Sequence, residues 1–476
     1  MKTDRSSTGT ASPALRLFIT RLHFYVGMFV GPFIFIAALS GTLYVLTPQI
    51  ENMVYREQLR TTSTGTAQPL AAQIDAARSA IGEGPRLFAV RPATADGYTT
   101  RVMFTMPGLG SSESRAIFVD PVKGAVRGDL TVYGTSGILP FRTALDNLHR
   151  NLLLGDLGRH YSELAASWLW VAVLGGLLLW FWRRGVPASS AARGTSARRL
   201  HGRIGVVIAL GLLFLSATGL TWSRWAGDHI DRFRSAVGWV TPSVSLDLGE
   251  GAAMAGGEGE HAEHQGHGGM TMPSSPPAIP EAELAGRMDQ VLAVARTGGI
   301  DSPMVEIRPP RGAGKAWLVS EYDRRWPTQV DTVAIDPRTM TITSRADFEN
   351  FPIVAKLIRW GIDAHMGILF GVVNQIVMAA LGVALMVMIV YGYAIWWSRR
   401  PAPGGSPKTL IRAFSYLTLR SKLGVIVVAL AFGVALPLMG ASVIVFVLID
   451  LVRWGLTGLR TVREDKAPAG PGNIFS

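Results

Sequence analysis

Four apolar runs dominate the chain: Phe24 to Leu46, Leu164 to Trp182, Ile204 to Trp222 and Gly367 to Trp397. At about 1.5 Å of rise per residue, each is long enough as a helix to cross a hydrocarbon core of about 30 Å. A backbone inside lipid has to satisfy its own hydrogen bonds, so runs of this length read as helices and the chain as an integral membrane protein. With 48% apolar residues and a mean hydropathy of +0.27 over 476 residues, enough polar sequence remains for sizeable extramembrane segments. The lipid bilayer is the expected partner. Much of the Lys/Arg excess behind the formal charge of +12 gathers beside the apolar runs. That pattern orients a membrane protein and gives no support to nucleic-acid binding.

Lys and Arg crowd the N-terminus (1–21) and the segments 183–203 and 399–422, which places all three in the cytoplasm. Spans are expected at 22–46, 164–182, 204–225 and 364–398, with the long segments 47–163 and 226–363 outside. The first run has no small-residue cleavage site and is too long for a signal sequence, so it reads as a retained anchor. A further apolar stretch, 423–452, is interrupted at Pro437-Leu438-Met439-Gly440 and carries basic residues at both ends, before a cytoplasmic tail over 453–476. Basic flanks on both sides favour a helical hairpin, with one tilted crossing as the alternative.

Four histidines fall on a grid that indicates a tandem duplication. His23 and His201 each open a span and are followed by Gly at i+4 and i+18 (Gly27, Gly41; Gly205, Gly219). His149 and His365 each lie 29 residues after an Asp-Pro pair (Asp120-Pro121, Asp336-Pro337) and are followed by Gly at i+6 (Gly155, Gly371) and twin arginines from i+34. Two units crossing in the same sense are related by an axis along the membrane normal. His23 is then expected to face His201 near the cytoplasmic side, and His149 to face His365 on the outer side. Neutral imidazoles in facing pairs suit bis-His haem ligation, which leaves no open coordination position and serves electron transfer. Arg21 and Arg199, two residues before the inner histidines, together with Arg203 and Arg150, are candidate partners for haem propionates. His160 follows His149 by 11 residues and would share its face on a continuous helix, but the grid maps it to Ile376, so it stands as a reserve ligand. With no cysteine in the chain, disulfides, iron–sulfur clusters and covalent c-type haem are excluded.

Each outer segment reads as a small α+β module. A helix (69–82; 281–295) precedes three short strands (87–90, 100–104, 116–119; 304–307, 316–319, 332–335), and the Asp-Pro turn ends the last of them. Between 245 and 280 the second module carries an insert rich in Gly, Ala, Pro, His and Met. Its His261, His264, His267, Met270 and Met272 combine imidazole with thioether, a copper-type donor set, beside acids that suit zinc or iron. A low-complexity linker is the equal alternative.

The residues that carry a family likeness are His23-x-x-x-Gly27, Phe118-Val119-Asp120-Pro121 with Gly124, and Leu148-His149-Arg150-Asn151-Leu152-Leu153-Leu154-Gly155. They continue with His201-x-x-x-Gly205, Asp363-Ala364-His365-Met366-Gly367-Ile368-Leu369-Phe370-Gly371 and Trp396-Trp397-Ser398-Arg399-Arg400-Pro401. Over nearly its whole length the chain resembles the PepSY-associated transmembrane family of bacterial inner-membrane proteins, which includes ferric-siderophore reductases. The expected fold is thus a mainly α membrane protein: a four-helix bundle from a tandem repeat, a C-terminal hairpin and two small periplasmic PepSY-like α+β modules. The resemblance implies two b-type haems on His23, His201, His149 and His365, passing electrons outward to a periplasmic ferric siderophore or other ferric chelate. No nucleotide-binding G-x-G-x-x-G follows a strand, so the cytoplasmic electron donor is expected to be separate. Two other readings stay open: a non-catalytic sensor whose outer modules bind a peptide or protein, and a copper-handling protein using the His/Met insert. Hydrolase and kinase signatures are lacking.

Overall fold

The computed structural model describes residues 12–110, 112–184, 196–249, 280–399 and 409–465. In chain order, α1 (Pro13–Tyr25) passes through a π-helical turn (Val26–Val30) into α2 (Gly31–Val45), followed by α3 (Thr47–Val54), α4 (Arg56–Leu59) and α5 (Leu70–Ile81). Strands β1 (Arg86–Arg91), β2 (Thr100–Thr105), β3 (Glu113–Val119) and β4 (Val126–Tyr133) lead to α6 (Pro140–Asn151), α7 (Gly155–Arg184), α8 (Ser196–Thr221) and α9 (Trp225–Ala236). The second half runs in the same order, with α10 (Glu281–Thr297), β5 (Val305–Arg308), β6 (Trp317–Glu321), β7 (Thr332–Ile335) and β8 (Ile342–Ala346) before α11 (Ile353–His365) and α12 (Val372–Ser398). The chain closes with α13 (Leu410–Ser415), α14 (Leu419–Ala435) and α15 (Pro437–Asp465). Among the described residues four helices are long and apolar enough to cross a membrane: Pro13–Val45, Gly155–Arg183, Ser196–Thr221 and Val372–Ser398. The protein is a multi-pass membrane protein. It divides into two compact units, one of residues 1–39, 157–230 and 381–476, the other of 40–156 and 231–380.

The first unit is helical. All four long helices contribute to one buried cluster that includes Tyr25, Val30, Trp168, Leu212 and Leu385, joined by Met439 and Phe446 of α15. Outward-facing apolar residues such as Val207 and Leu210, each 81% exposed, would be costly in water and are at home against lipid. Trp168 donates its indole N–H to Ser442 Oγ (2.8 Å), and Ser216 donates to the Ala166 carbonyl (2.7 Å), so hydrogen bonds tie neighbouring helices of this core together. The C-terminal apolar stretch is two helices broken at Leu436–Pro437 and packed on one another. Asp450 of α15 is fully buried and accepts hydrogen bonds from Tyr25 Oη and the Ile411 amide. The close approach of α14 to α15 depends on Gly440, where an added Cβ would stand 2.8 Å from the Gly433 carbonyl oxygen. Gly440→Ala forces backbone apart and is expected to destabilise this helix pair by about 1–3 kcal/mol. Thermal unfolding in detergent checks this, and an unchanged midpoint would contradict it.

The second unit is built on one eight-stranded antiparallel sheet in the order β4-β3-β2-β1-β5-β6-β7-β8. Strands β1, β2, β3, β5 and β7 bury side chains on both faces of the sheet. One carries Phe104, Ile117, Ile307 and Trp317 against Ile74 and Ala77 of α5 and Met288 and Val291 of α10. The opposite face of β1–β4 carries Phe88, Met103 and Phe118 with Leu139. Two expectations change here. The strands expected as two separate modules form one sheet, because β1 pairs with β5 (Val90 opposite Ile307). Each Asp-Pro turn is followed by a fourth strand, so it lies inside a hairpin and does not end the set. The turns are built alike: Asp120 Oδ1 accepts from the Val122 amide (2.9 Å), Asp336 Oδ1 from the Arg338 amide (2.7 Å). These bonds, with Ser63 and Thr61, hold the Asp120 carboxyl down to about 2 against the upward push of burial.

Before each of the last two halves' long helices the backbone turns sharply. Leu152 and Leu153 (φ 54° and 60°) and Gly155 (φ 57°) separate α6 from α7; Gly367 (φ 74°) and Gly371 (φ 57°) separate α11 from α12. Left-handed backbone ends a helix, and glycine adopts it without the Cβ clash. His149 and His365 therefore sit at the ends of α6 and α11, outside the long helices, although a span beginning at 364 was expected to include His365. The continuous helix that would have put His160 on the face of His149 does not exist.

Candidate histidine sites

In the helical unit His23, near the end of α1, meets His201 of α8, with ring centroids 6.3 Å apart and planes at 79°. Each ring is oriented by a backbone carbonyl: His23 Nδ1 is 3.0 Å from Ala172 O, and His201 Nδ1 is 2.9 Å from Met388 O. With Nδ1–H donating, Nε2 keeps its lone pair for a metal. Each ring also rests on a glycine one turn beyond that carbonyl. A Cβ on Gly176 would stand 3.2 Å from His23 Cε1, and one on Gly392 3.6 Å from His201 Cε1. Met388 and Gly392 follow Ala172 and Gly176 by 216 residues, the spacing that also separates His365 from His149. This second layer was missed in the sequence, although that offset would have found it. A π-helical turn follows His23 directly, and its Met28 carbonyl accepts from Tyr393 Oη (2.8 Å).

In the sheet unit His149 meets His365 in the same manner, with centroids 6.4 Å apart and planes at 58°. His149 Nδ1 lies 3.0 Å from Ser40 Oγ, and a Cβ on Gly41 would stand 3.1 Å from His149 Cε1. Burial, then the neighbouring His149, push the His365 imidazole down to about 3, so it is neutral at physiological pH, as a metal ligand must be.

Two imidazoles bound to opposite sides of one metal ion, with metal–nitrogen bonds of about 2 Å, have ring centroids about 6 Å apart. Both pairs have that spacing, and in the first both Nδ1 atoms are already committed to carbonyls. The residues present therefore fit a bis-imidazole centre at each pair.

Charged side chains flank the second pair. On α6, Arg142, Asp146 and Arg150 share a face, with Arg150 3.5 Å from Asp146 and bonded to Tyr133 Oη (3.1 Å). The Arg142 guanidinium lies over the Tyr44 ring at 4.9 Å. Asp363, two residues before His365 and fully buried, pairs with Arg324 (2.5 Å) and Arg359 (3.2 Å). Burial pushes the Asp146 carboxyl up, against the pull of Arg150 and Arg142, and burial likewise lowers Arg359. Of the candidate propionate partners, Arg150 is thus engaged within the protein, Arg199 and Arg203 are exposed, and Arg21 is half-buried. His160 bonds the Leu157 carbonyl (2.9 Å) within its own helix, and His229 bonds the Ala435 carbonyl (3.1 Å). Sequence reasoning named neither Asp363, Arg324 nor Arg359 as part of a site. His261, His264, His267, Met270 and Met272 lie outside the described residues.

A membrane protein with four long helices, an antiparallel sheet and two facing histidine pairs defines the class. The profile of the PepSY-associated TM region matches residues 20–399. The chain belongs to that family. A comparison with curated proteins found no match.

Proposed function

We propose that this protein carries electrons across the bacterial inner membrane on two b-type haems, from a separate cytoplasmic donor to a periplasmic ferric chelate such as a ferric siderophore. The observation that carries this reading is the pair of imidazole separations, 6.3 Å for His23–His201 and 6.4 Å for His149–His365, each suited to one metal ion between two rings. Bound haem would supply reversible one-electron chemistry at a closed coordination sphere. The chain's own residues do the rest. The Ala172 and Met388 carbonyls hold His23 and His201 in their tautomer, and the Ser40 hydroxyl orients His149. Gly176, Gly392 and Gly41 give those rings room against neighbouring helices. In this reading the two halves are a tandem duplication, the Lys/Arg-rich short segments face the cytoplasm, and the eight-stranded sheet stands in the periplasm as two joined PepSY-like modules.

The test is the visible spectrum of the purified protein with pyridine haemochrome quantification. About two haems b per chain, with a sharp α band on reduction, are expected. A colourless, fully folded preparation would sink the reading and leave a sensor role in its place.

A further inference from the structure

We infer that Tyr393 is a positioning residue for the His23/His201 centre: its hydroxyl holds the π-helical turn whose extra residue sets the direction in which His23 points. The inference rests on the haem reading for what the two rings carry, and adds the residue that keeps them in place.

The sequence explains the turn. Proline has no N–H, and its ring crowds the carbonyl four residues before it. Pro32 therefore removes the amide with which the Met28 carbonyl would pair in an α-helix. Over Val26–Val30 the helix widens instead, and the Gly31 amide reaches back five residues to the Val26 carbonyl. One extra residue in a turn rotates what precedes it by about 100° relative to a continuous α-helix. His23 lies just before that turn, while Ile34 and Ala38 of α2, beyond it, are packed into the helical core. The turn thus decides which way His23 faces once α2 is seated. Tyr393 Oη donates to the Met28 carbonyl at 2.8 Å, supplying from α12 the donor that Pro32 lacks. Its ring also packs on Gly31, where an added Cβ would stand 3.5 Å from Tyr393 Oη.

The equivalent positions elsewhere in the chain carry neither part. By the 178-residue spacing from His23 to His201, Leu210 stands where Pro32 does, and α8 runs as unbroken α-helix from Ser196 to Thr221. By the 216-residue spacing from Ala172 to Met388, Leu177 stands where Tyr393 does. The proline and the hydroxyl thus occur as a matched set. That set bridges the helix of one ring and the support of the other: α1 carries His23, and α12 supplies the Met388 carbonyl and Gly392 behind His201. One hydrogen bond fixes the first against the second. The near-perpendicular ring planes, at 79°, are the geometry it holds.

Tyr393→Phe in the full-length protein tests this, since it keeps the ring and removes only the hydroxyl. Amide hydrogen exchange over residues 26–33 should speed up several-fold, with or without haem. In a low-spin ferric haem the angle between axial imidazole planes sets the anisotropy of the electron paramagnetic resonance signal. In haem-loaded protein in nanodiscs Tyr393→Phe should therefore shift or abolish one low-spin signal, the one that His201→Ala removes, and leave the other as it was. In a Pro32→Ala background, where Met28 regains an amide partner, the same substitution should add nothing to either readout. A general packing role for the hydroxyl would show equally in both backgrounds. The inference is overturned if exchange is unchanged, if loaded protein keeps both signals or shifts the other one, or if the effect persists with Pro32→Ala. Protein that binds no haem yet shows the faster exchange would overturn the haem reading while the Tyr393 contact stands, a result plainly different from silence at Tyr393.

Discussion

His149→Ala and His365→Ala are each expected to remove the same one of two haem components and to leave the other intact. The two side chains face each other 6.4 Å apart between ring centroids, on helices α6 and α11. Bis-imidazole ligation loses half of its axial bonding when either is lost, so one substitution is enough to empty the site or leave it weakly ligated. The double variant should therefore be no worse than either single one, the non-additivity of residues that act as a unit. His23→Ala and His201→Ala should form the complementary set. Haem content and low-temperature α-band spectra of the four single variants decide the matter. If variants from both pairs deplete the same component, or if any one strips all the haem from folded protein, two independent sites are excluded.

The second large effect is on stability. Glu306→Gln is expected to destabilise the sheet unit by about 3–5 kcal/mol, because breaking a buried ion pair leaves uncompensated charge. Glu306 accepts from Arg91 at 2.7 Å and from Arg308 at 2.5 Å, and with Arg91 it sits where β1 meets β5. Burial pushes its carboxyl up, but Arg308 and Arg91 outweigh that and hold it down to about 2, from an ordinary value of 4.5. A depressed carboxyl contributes stability that is full above 4.5 and is lost as pH falls towards 2. Unfolding midpoints of the purified protein in detergent, measured between neutral pH and about pH 3, should fall steeply through that window for the natural sequence and less so for Glu306→Gln. Parallel curves for the two proteins would show that the pair carries no such linkage.

Much of this was legible in the residues. The long apolar runs mark four helices because lipid leaves the backbone few other solutions. The offsets that single out His23, His201, His149 and His365 pick the same four that the structure brings together in two pairs. What the sequence hid has physical causes. β4 (Val126–Tyr133) and β8 (Ile342–Ala346) are polar, largely exposed edge strands, so neither shows the apolar alternation that reveals a strand. The union of β1 with β5 is a pairing between residues more than 200 apart, which local pattern does not encode. Asp363, Arg324 and Arg359 look like scattered surface charges until the fold buries them against one another. The left-handed turns at Leu152–Gly155 and Gly367–Gly371 were visible only as glycines at a fixed distance from histidine, with no hint that a helix stops there.

The single sheet also bears on how the protein can be dissected. β1 and β5 are the innermost strands of their respective halves, and each has the other as its outer neighbour. Cutting the chain into two outer fragments would leave each with a long, apolar strand edge whose amide and carbonyl groups face nothing, the template from which strand-to-strand aggregation grows. The halves are thus mutual chaperones of one another's edge. A fragment spanning 47–156 lacks the partner that keeps it soluble, so the smallest sound soluble piece would have to join both halves across the β1–β5 seam.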